Sequence, residues 1–336
     1  MEVELQIECW PLVEPFHIAG KSYLEIECVV AIVRDGEHFG RGEAAGVDYL
    51  GETATSIVSA IEAAKPSLGC RADRVMLRSL LPAGGARNAL DCAMWELEAS
   101  ISGVPAWQRA GVASPTPRLT TCTIGAGSPQ HVAGQAAAYR QARALKVKLL
   151  GDALDADRVR AVRAARPDVW LSVDGNCGFS RESLQHVIPT LVECRVSLIE
   201  QPMPVERDAE LISIDSPIPF GADESVQDLA SLRTLTDAYS VVNLKLDKCG
   251  GLTEALEMVD VARARGKKIM VGNMIGTSLA MAPAYIVSQF CDIVDLDGPI
   301  FLQADRDAPV VYRDGMVWCP GDVWGGGSIR TAATVS

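Results

Sequence analysis

The sequence lacks the features that mark several large classes of protein. It carries 43 acidic against 31 basic side chains, a formal net charge of −12, which argues against nucleic acid and anionic membrane surfaces as partners. No uninterrupted apolar run reaches the ~18 residues that a membrane span needs. The N-terminal segment has neither a basic region nor an apolar core, so we expect no secretory leader and a cytoplasmic location.

Cysteine and glycine patterns exclude further classes. The ten cysteines are scattered singly, without a C-x-x-C pair or a Cys/His cluster at zinc-finger spacing, so we expect free thiols. No G-x-G-x-x-G turn follows a strand-like segment, which argues against a dinucleotide-binding fold. What the chain does have is an apolar fraction of 48% over 336 residues, enough for one large domain or two unequal ones.

The first third of the chain reads as strands followed by helices. Segment 23–45 has apolar runs on both sides of Asp35-Gly36, which predicts a β-hairpin. Apolar residues at helical spacing predict helices within 52–64 and 86–103. We therefore predict a separate α+β unit in this region.

From Leu119 onward, short β-rich segments alternate with amphipathic helical segments. The helical candidates include 155–166, 181–193 and 252–266. Eight strands with intervening helices are typical of a β/α barrel rather than of an open sheet. The eight strand candidates are 119–125, 145–150, 169–175, 196–202, 218–224, 240–247, 267–273 and 291–297.

Acidic side chains recur at the C-terminal ends of these strands, where barrel enzymes carry their functional groups. Asp174, Glu200 and Asp223 end the third, fourth and fifth candidates, at intervals of 26 and 23 residues. Each interval is one β/α cycle, so neighbouring strands bring the three carboxylates to one rim. Any one of them alone would more often be a surface residue or a helix N-cap. Together they predict a Mg²⁺ site, because oxygen-only ligation with open positions suits this ion.

Three lysines are predicted at the same rim. Lys146 and Lys148 are two residues apart on the second strand candidate, so their side chains share a face. The alternate residues of this strand are apolar and suit the helix-facing side, which leaves the lysines pointing into the barrel. Lys245, on the sixth candidate, lies across the mouth from Lys148. The two can flank a substrate, and positive charge nearby would lower the pKa of a lysine toward that of a general base.

Together these segments form a known pattern. The motifs "KVK", "VDGN", "IEQP", "ADES" and "NLKLDKCGG", in this order, resemble the muconate-lactonising subgroup of the enolase superfamily, and the resemblance covers essentially the whole chain. It implies an α/β fold in which an α+β capping domain, residues 1–115 completed by 309–336, closes over a modified (β/α)7β TIM-type barrel of residues 116–308. Relatives also imply a homo-oligomer.

The segment "DIVDLDGP" resembles the D-x-D motif of the dipeptide epimerases within that subgroup. The resemblance implies that Asp295 and Asp297 hold the free α-amino group of a dipeptide, which two carboxylates on one strand face can do. Thr123, at the end of the first barrel strand, is a further candidate for substrate contact. Acidic-dipeptide epimerases often carry an arginine in the first capping loop, and no arginine occurs between Met1 and Val33. Lys21 is the candidate to replace it.

The resemblance implies an isomerase that inverts the α-carbon of a dipeptide's C-terminal residue with Mg²⁺ as cofactor. L-Ala-D/L-Glu from cell-wall peptide recycling is the first candidate substrate. In this mechanism Lys148 and Lys245 exchange the α-proton on opposite faces and Lys146 contacts the substrate carboxylate. The three rim carboxylates hold the metal.

Other reactions stay open. The same site would suit o-succinylbenzoate synthase, N-succinylamino acid racemase or muconate cycloisomerase activity, whose substrates lack a free α-amine and would leave Asp295 and Asp297 idle. A metal-independent Schiff-base aldolase would use a lysine as nucleophile but leaves the three carboxylates unexplained. A non-catalytic ligand-binding barrel would have no use for two opposed bases.

Overall fold

The computed structural model of the chain describes residues 1–18, 21–68 and 73–327. An antiparallel sheet opens the chain, with β1 (Glu2–Ile18), β2 (Lys21–Asp35) and β3 (His38–Ala44) side by side in that order. The hairpin of β2 and β3 confirms the prediction for segment 23–45. The sequence analysis did not predict β1, although it alternates acidic and apolar residues with the period of a half-exposed strand.

Four helices follow this sheet, and two of them were predicted. The second of the predicted helices packs so closely on β3 that a Cβ atom at Gly42 would lie 2.1 Å from the carbonyl oxygen of Ala89. Glycine at this position therefore lets the helix lie directly against the strand. The four helices are α1 (Ala54–Ala64), α2 (Arg74–Leu80), α3 (Gly85–Ser102) and α4 (Ala106–Arg109).

The second part of the molecule is a curled sheet of eight parallel strands that follow one another in chain order. All eight predicted strands are confirmed. The amide of Thr121, just before the first of them, donates to the carbonyl of Val294 in the last at 3.0 Å, so the two ends of the sheet meet. After the short β4 (Arg118–Leu119), the eight are β5 (Cys122–Ile124), β6 (Ala144–Lys148), β7 (Trp170–Asp174), β8 (Leu198–Glu200), β9 (Phe220–Ala222), β10 (Tyr239–Leu244), β11 (Lys268–Val271) and β12 (Ile293–Val294).

Helices pack outside this sheet and bury its apolar outer face. Leu145, Leu171 and Leu244 on that face have no solvent-exposed surface, while the alternate residues of the same strands point inward. A 3-10 helix, Val205–Ser213, lies between β8 and β9. The α-helices are α5 (Pro129–Ala138), α6 (Asp155–Ala165), α7 (Arg181–Glu193), α8 (Leu229–Thr234), α9 (Leu246–Cys249), α10 (Leu252–Ala264) and α11 (Ser278–Ser288).

The tail of the described chain returns toward the first helices and sheet. A hairpin of β13 (Val311–Arg313) and β14 (Met316–Trp318) pairs with β4. Further on, the indole of Trp324 donates to the carbonyl of Arg41 at 2.8 Å. The domain limits given above stay a prediction, and residues 328–336 lie outside the described part.

No helix among the described residues combines the length and the apolar character that crossing a membrane requires.

Candidate active site

Three buried carboxylates converge at the C-terminal ends of neighbouring strands. β7 ends at Asp174, β8 ends at Glu200, and Asp223 follows β9 directly. Asp174 and Glu200 are partners in the parallel pairing of β7 and β8. One carboxylate oxygen from each of the three lies within 4.8 Å of the others. The side chains are 0%, 0% and 1% exposed, so none of them is an ordinary surface residue.

The electrostatics of this cluster suit a bound cation. Burial raises the pKa of Glu200 to about 8, with help from the charges of Asp174 and Asp223 and against the effect of Lys146. The Oε2 atom of Glu200 is buried and accepts no hydrogen bond. A buried acceptor of this kind is expected to have a partner, and carboxylate oxygens are the ligands that Mg²⁺ prefers. The three residues therefore fit a hard divalent cation.

Two lysines face each other across this cluster. Lys148, the last residue of β6, donates to Oδ2 of Asp174 at 2.6 Å. Lys245, directly after β10, donates to Oδ2 of Asp223 at 2.7 Å. β6 and β10 are four places apart in the eight-stranded sheet. The two ammonium groups therefore approach the mouth from opposite sides, and the strands that carry the three carboxylates lie between them.

Lys146 is buried next to Lys148 without unfavourable repulsion, because each ammonium has its own carboxylate. Lys146 forms an ion pair with Asp295 and lies 3.6 Å from Oε2 of Glu200. Burial alone would lower the pKa of Lys146, but Asp295 and Glu200 outweigh it and raise the pKa well above its ordinary value. These two carboxylates therefore favour the ammonium form of Lys146. Asp223 acts in the same way on Lys245 and raises its pKa against the effect of burial.

The two aspartates of the D-x-D segment follow β12 and are buried in the same mouth. The hydroxyl of Thr121 donates to Asp295, and the amide of Thr123 donates to Oδ2 of Asp297 at 2.6 Å. The side-chain amide of Asn273 donates to the carbonyl of Asp295 at 2.5 Å and lies 3.4 Å from Oδ1 of Asp297. Backbone and side-chain donors thus hold both carboxylates at the rim.

These two aspartates differ in their charge balance. Lys146 lowers the pKa of Asp295 although burial opposes it. Burial and the adjacent Asp295 raise the pKa of Asp297 to about 6. Asp297 has no ammonium group of its own within the described residues, so a cationic group on a ligand would stabilise its charge.

Nine of the ten residues singled out in the sequence meet at this rim. Thr123 lies there, but its hydroxyl is 3.5 Å from Asp295 and its amide holds Asp297, so it positions the carboxylates. Lys21 begins β2, and its side chain lies outside the described part of the chain.

Sequence reasoning missed several residues that hold the site together. Asn243 donates to Oε1 of Glu200 at 2.7 Å, and Gln201 accepts from the amide of Asp223 at 2.9 Å. Lys248 donates to Oδ1 of Asp223 at 2.5 Å. Asn243 is two residues before Lys245 on one strand, so the two-residue period could have found it. Gln201 and Lys248 lie beyond the strand ends, where that period no longer applies.

The segment between β3 and α1, which includes a 3-10 helix (Asp48–Leu50), contacts the rim of the barrel. Its residues Ala45 and Gly46 donate their amides to Oδ1 of the buried Asp247 at 3.1 and 3.3 Å. Further along, the hydroxyl of Tyr49 accepts from the side-chain amide of Gln227 at 3.0 Å. We call residues 45–50 the lid loop. It joins the N-terminal part of the molecule to the rim of the barrel at two points.

The sequence of this chain matches one family model and is similar to those of named epimerases and racemases. Residues 131–327 match the family model of enolase C-terminal domain-like proteins. The L-Ala-D/L-Glu epimerase of Escherichia coli (strain K12) is 38% identical over 310 residues, 92% of this chain and 96% of that protein. The N-acetyl-D-glutamate racemase of Pseudoalteromonas sp is 37% identical over 303 residues, 89% of this chain and 95% of that protein.

Solved structures show the same architecture. An enolase family member from Agrobacterium tumefaciens with homology to dipeptide epimerases, with sodium and L-Ala-L-Glu bound, has a TM-score of 0.92 and 38% identity, over 96% of this chain and 99% of that one. A dipeptide epimerase from Methylococcus capsulatus, complexed with Mg and L-Arg-D-Lys, has a TM-score of 0.86 and 28% identity, over 95% and 96% of the two chains. The predicted combination of a barrel-type sheet with a separate antiparallel sheet is confirmed.

Proposed function

Because the chain belongs to the enolase superfamily, we propose that it is a Mg²⁺-dependent isomerase that epimerises dipeptides at the α-carbon of their C-terminal residue. The observation that carries the proposal is the arrangement of three buried carboxylates between two opposed lysines. Relatives whose names and ligands are those of dipeptide epimerases support the same reaction.

The carboxylate end of the substrate belongs at the acidic cluster. Asp174, Glu200 and Asp223 would hold the metal. With Mg²⁺ bound, the cation would stabilise the negative charge that develops on the substrate carboxylate as the α-carbon loses its proton. Lys146, whose ammonium lies 3.6 Å from Oε2 of Glu200, would donate to the same carboxylate. The negative charge that forms on the substrate carboxylate would therefore lie next to the cation and the ammonium group of Lys146.

Inversion needs a base on one face of the α-carbon and an acid on the other. Lys148 and Lys245 approach from opposite sides, so either can take the proton while the other returns one. The reaction requires one neutral lysine and one ammonium at the start of each turnover. Asp223 by itself raises the pKa of Lys245, the opposite of the lowered value expected from the sequence, whereas a cation held by Asp174 and Asp223 would offset the charge of these carboxylates and favour a neutral lysine. The reverse reaction begins with these two protonation states exchanged, which allows both epimers to react.

The amino end of the dipeptide belongs at the D-x-D segment. An α-ammonium group beside Asp297 would supply the cation that this buried carboxylate otherwise lacks within the described residues. Asp295 already pairs with Lys146, so it contributes mainly by fixing the distance between the two ends of the substrate. The separation of a carboxylate subsite from an ammonium subsite favours a dipeptide over a single amino acid.

We further propose glutamate as the reacting residue and L-Ala-D/L-Glu as the substrate, within cell-wall peptide recycling in the cytoplasm. Two relatives named for glutamate derivatives, the L-Ala-D/L-Glu epimerase and the N-acetyl-D-glutamate racemase, support this choice. A homo-oligomeric state is part of the same proposal. Mass measurement of the purified protein by light scattering tests it.

Deuterium exchange tests the function directly. The protein, incubated with Mg²⁺ and L-Ala-L-Glu in D₂O, should place deuterium at the glutamate α-carbon and produce L-Ala-D-Glu, as followed by proton NMR and polarimetry. A panel of dipeptides with apolar and basic C-terminal residues, run in parallel, measures the side-chain preference. Absence of exchange with every dipeptide would reject the reaction class.

A second function, racemisation of N-acylated glutamate, is favoured by the 37% identical racemase. Its substrate has no free amine, so the two functions respond differently at Asp297. We expect Asp297→Asn to lower kcat/KM for L-Ala-L-Glu by about 10²-fold, because a charge-assisted contact to the α-ammonium is lost. Steady-state kinetics with the dipeptide and with N-acetyl-glutamate measure the difference.

The control for this variant is Asp292→Asn. Asp292 is an exposed carboxylate just before β12 whose Oδ2 accepts from the amide of Ile269 at 2.9 Å, at the opposite end of the strand from the mouth. It should leave both activities unchanged. Equal, small effects of Asp297→Asn on both substrates would contradict the dipeptide assignment and favour the racemase.

A further inference from the structure

Lys248 is a fully buried ammonium for which the proposed proton transfer has no use. It is 2% exposed. Its Nζ atom donates to Oδ1 of Asp223 at 2.5 Å, to the carbonyl of Asp223 at 2.6 Å and to the carbonyl of Asn243 at 3.1 Å. An ammonium has three protons, and all three are used. Lys248 can therefore act neither on a substrate nor as a base without breaking this arrangement.

We infer that Lys248 is a positioning residue for the metal site. It occupies Oδ1 of Asp223 and leaves only Oδ2 facing the mouth, where Lys245 contacts it at 2.7 Å. Asp223 can then offer the cation one oxygen rather than two. Two of the three donor bonds of Lys248 go to this one residue, so both its side chain and its backbone are held. The inference rests on the proposed metal site.

The turn that carries Lys248 is itself clamped by the N-terminal part of the molecule. α9 ends at Cys249, and Gly250, which caps it, has a positive φ of 77°. A Cβ atom there would lie 2.2 Å from Nε of Arg87, and one at Gly251 would lie 2.5 Å from Oδ2 of Asp91. Arg87 also donates to the carbonyl of Cys249 at 2.8 Å. Helix α3 thus fixes the backbone on which Lys248 stands.

The competing explanation is that Lys248 merely neutralises a buried charge. Loss of a buried ion-pair partner destabilises a protein wherever it lies, so stability alone does not separate the two roles. Metal affinity does, because outer partners of metal ligands typically change it 10–100-fold when removed. The measurement must therefore be made on the metal, in the absence of substrate.

The test is Lys248→Met, which keeps an unbranched side chain one atom shorter than lysine and removes its donors. Titration of the full-length protein with Mn²⁺, followed by EPR, should give a Kd about 10–100-fold above that of the unmodified protein. At saturating Mg²⁺, the kcat of the variant should be within a small factor of that of the unmodified protein. The Mg²⁺ concentration needed for half-maximal rate should be higher in the variant. This split separates positioning from a role in proton transfer.

Lys267→Met is the matched control. The side chain of Lys267 is 7% exposed, and its Nζ donates to the carbonyl of Tyr239 at 2.8 Å and to Oδ1 of the exposed Asp237 at 3.1 Å. It lies at the opposite end of the barrel strands from the metal site. Its loss removes a largely buried ammonium but should leave the Kd for Mn²⁺ unchanged.

The outcomes separate the inference from the proposed function. Unmodified protein that binds no Mn²⁺ would overturn the metal site and the inference with it. Unmodified protein that binds Mn²⁺, with Lys248→Met of equal affinity, would overturn the inference alone. Should Lys248→Met fail to fold, Lys248→Leu removes the same donors with a different apolar side chain, and an unchanged Kd in that variant, with Lys267→Met also unchanged, would equally count against it.

Discussion

Replacing Lys245 with methionine should lower kcat for epimerisation by about 10³-fold, within the range that general acid–base groups contribute. The variant loses the proton acceptor and donor on one face of the α-carbon, while Lys148 on the other side of the mouth is intact. In D₂O, the epimer whose α-proton faces Lys148 should therefore still exchange with solvent, but without inversion. Proton NMR of each pure epimer, incubated separately, shows this asymmetry.

The corresponding substitution of the lysine on the other face of the α-carbon should give the opposite result. Lys148→Met should abolish exchange from that first epimer and preserve it in the other. Lys268→Met serves as the control, because Lys268 is exposed at the start of β11, away from the mouth. Equal loss of exchange from both epimers in both lysine variants, at unchanged melting temperature, would contradict a two-base mechanism.

Removal of divalent metal should abolish turnover, and added Mg²⁺ should restore it. Without a cation, three buried carboxylates with oxygens within 4.8 Å of one another repel. Mg²⁺ at about 100 times its Kd should stabilise the folded protein by about 2.7 kcal/mol. Thermal melts of EDTA-treated protein with and without Mg²⁺, followed by circular dichroism, measure the shift.

The Glu200→Gln variant distinguishes Mg²⁺ binding at the acidic cluster from nonspecific effects of the added magnesium salt on stability. Glutamine keeps the shape of the side chain and its contact with Asn243 but removes one negative charge from the cluster. We expect this variant to lose the Mg²⁺-dependent rise in melting temperature and to lower kcat/KM by about 10³-fold. Activity that persists after EDTA treatment, or an unchanged melt in Mg²⁺, would contradict the metal site.

The barrel strands could be predicted because each one is a short apolar run that ends in a turn. The helices that were missed carry weaker patterns. All but one of the residues of α11 are buried, so it has no polar face to reveal a helical period. α5 begins with a proline and is rich in small residues that favour no clear face. β1 was overlooked because Pro11 and Pro15 interrupt its alternating pattern.

The site could be predicted as far as local spacing reaches. A two-residue period places Lys146 and Lys148 on one face, and the β/α repeat brings the three acids together. Asp295 and Asp297 were expected on one strand face, but both lie beyond the end of β12 and Asp297 is the N-cap of a 3-10 helix, so that period does not explain their common position.

The contacts of Lys248 and Gln201 depend on how the chain turns after a strand has ended. Such turns are set by packing against distant segments, which for Lys248 is α3 of the N-terminal part and for Gln201 includes Ser225 and Tyr239. No short window of sequence contains that information.

The lid loop has a consequence for how this protein can change. The proton-transfer and acidic groups all come from residues 123–297, whereas residues 45–50 come from another part of the chain and touch the rim through Asp247 and Gln227. A laboratory that exchanges this hexapeptide as a cassette, keeping the backbone amides of Ala45 and Gly46, would retune which molecules are admitted and leave the catalytic apparatus untouched. Libraries for new substrates should start there.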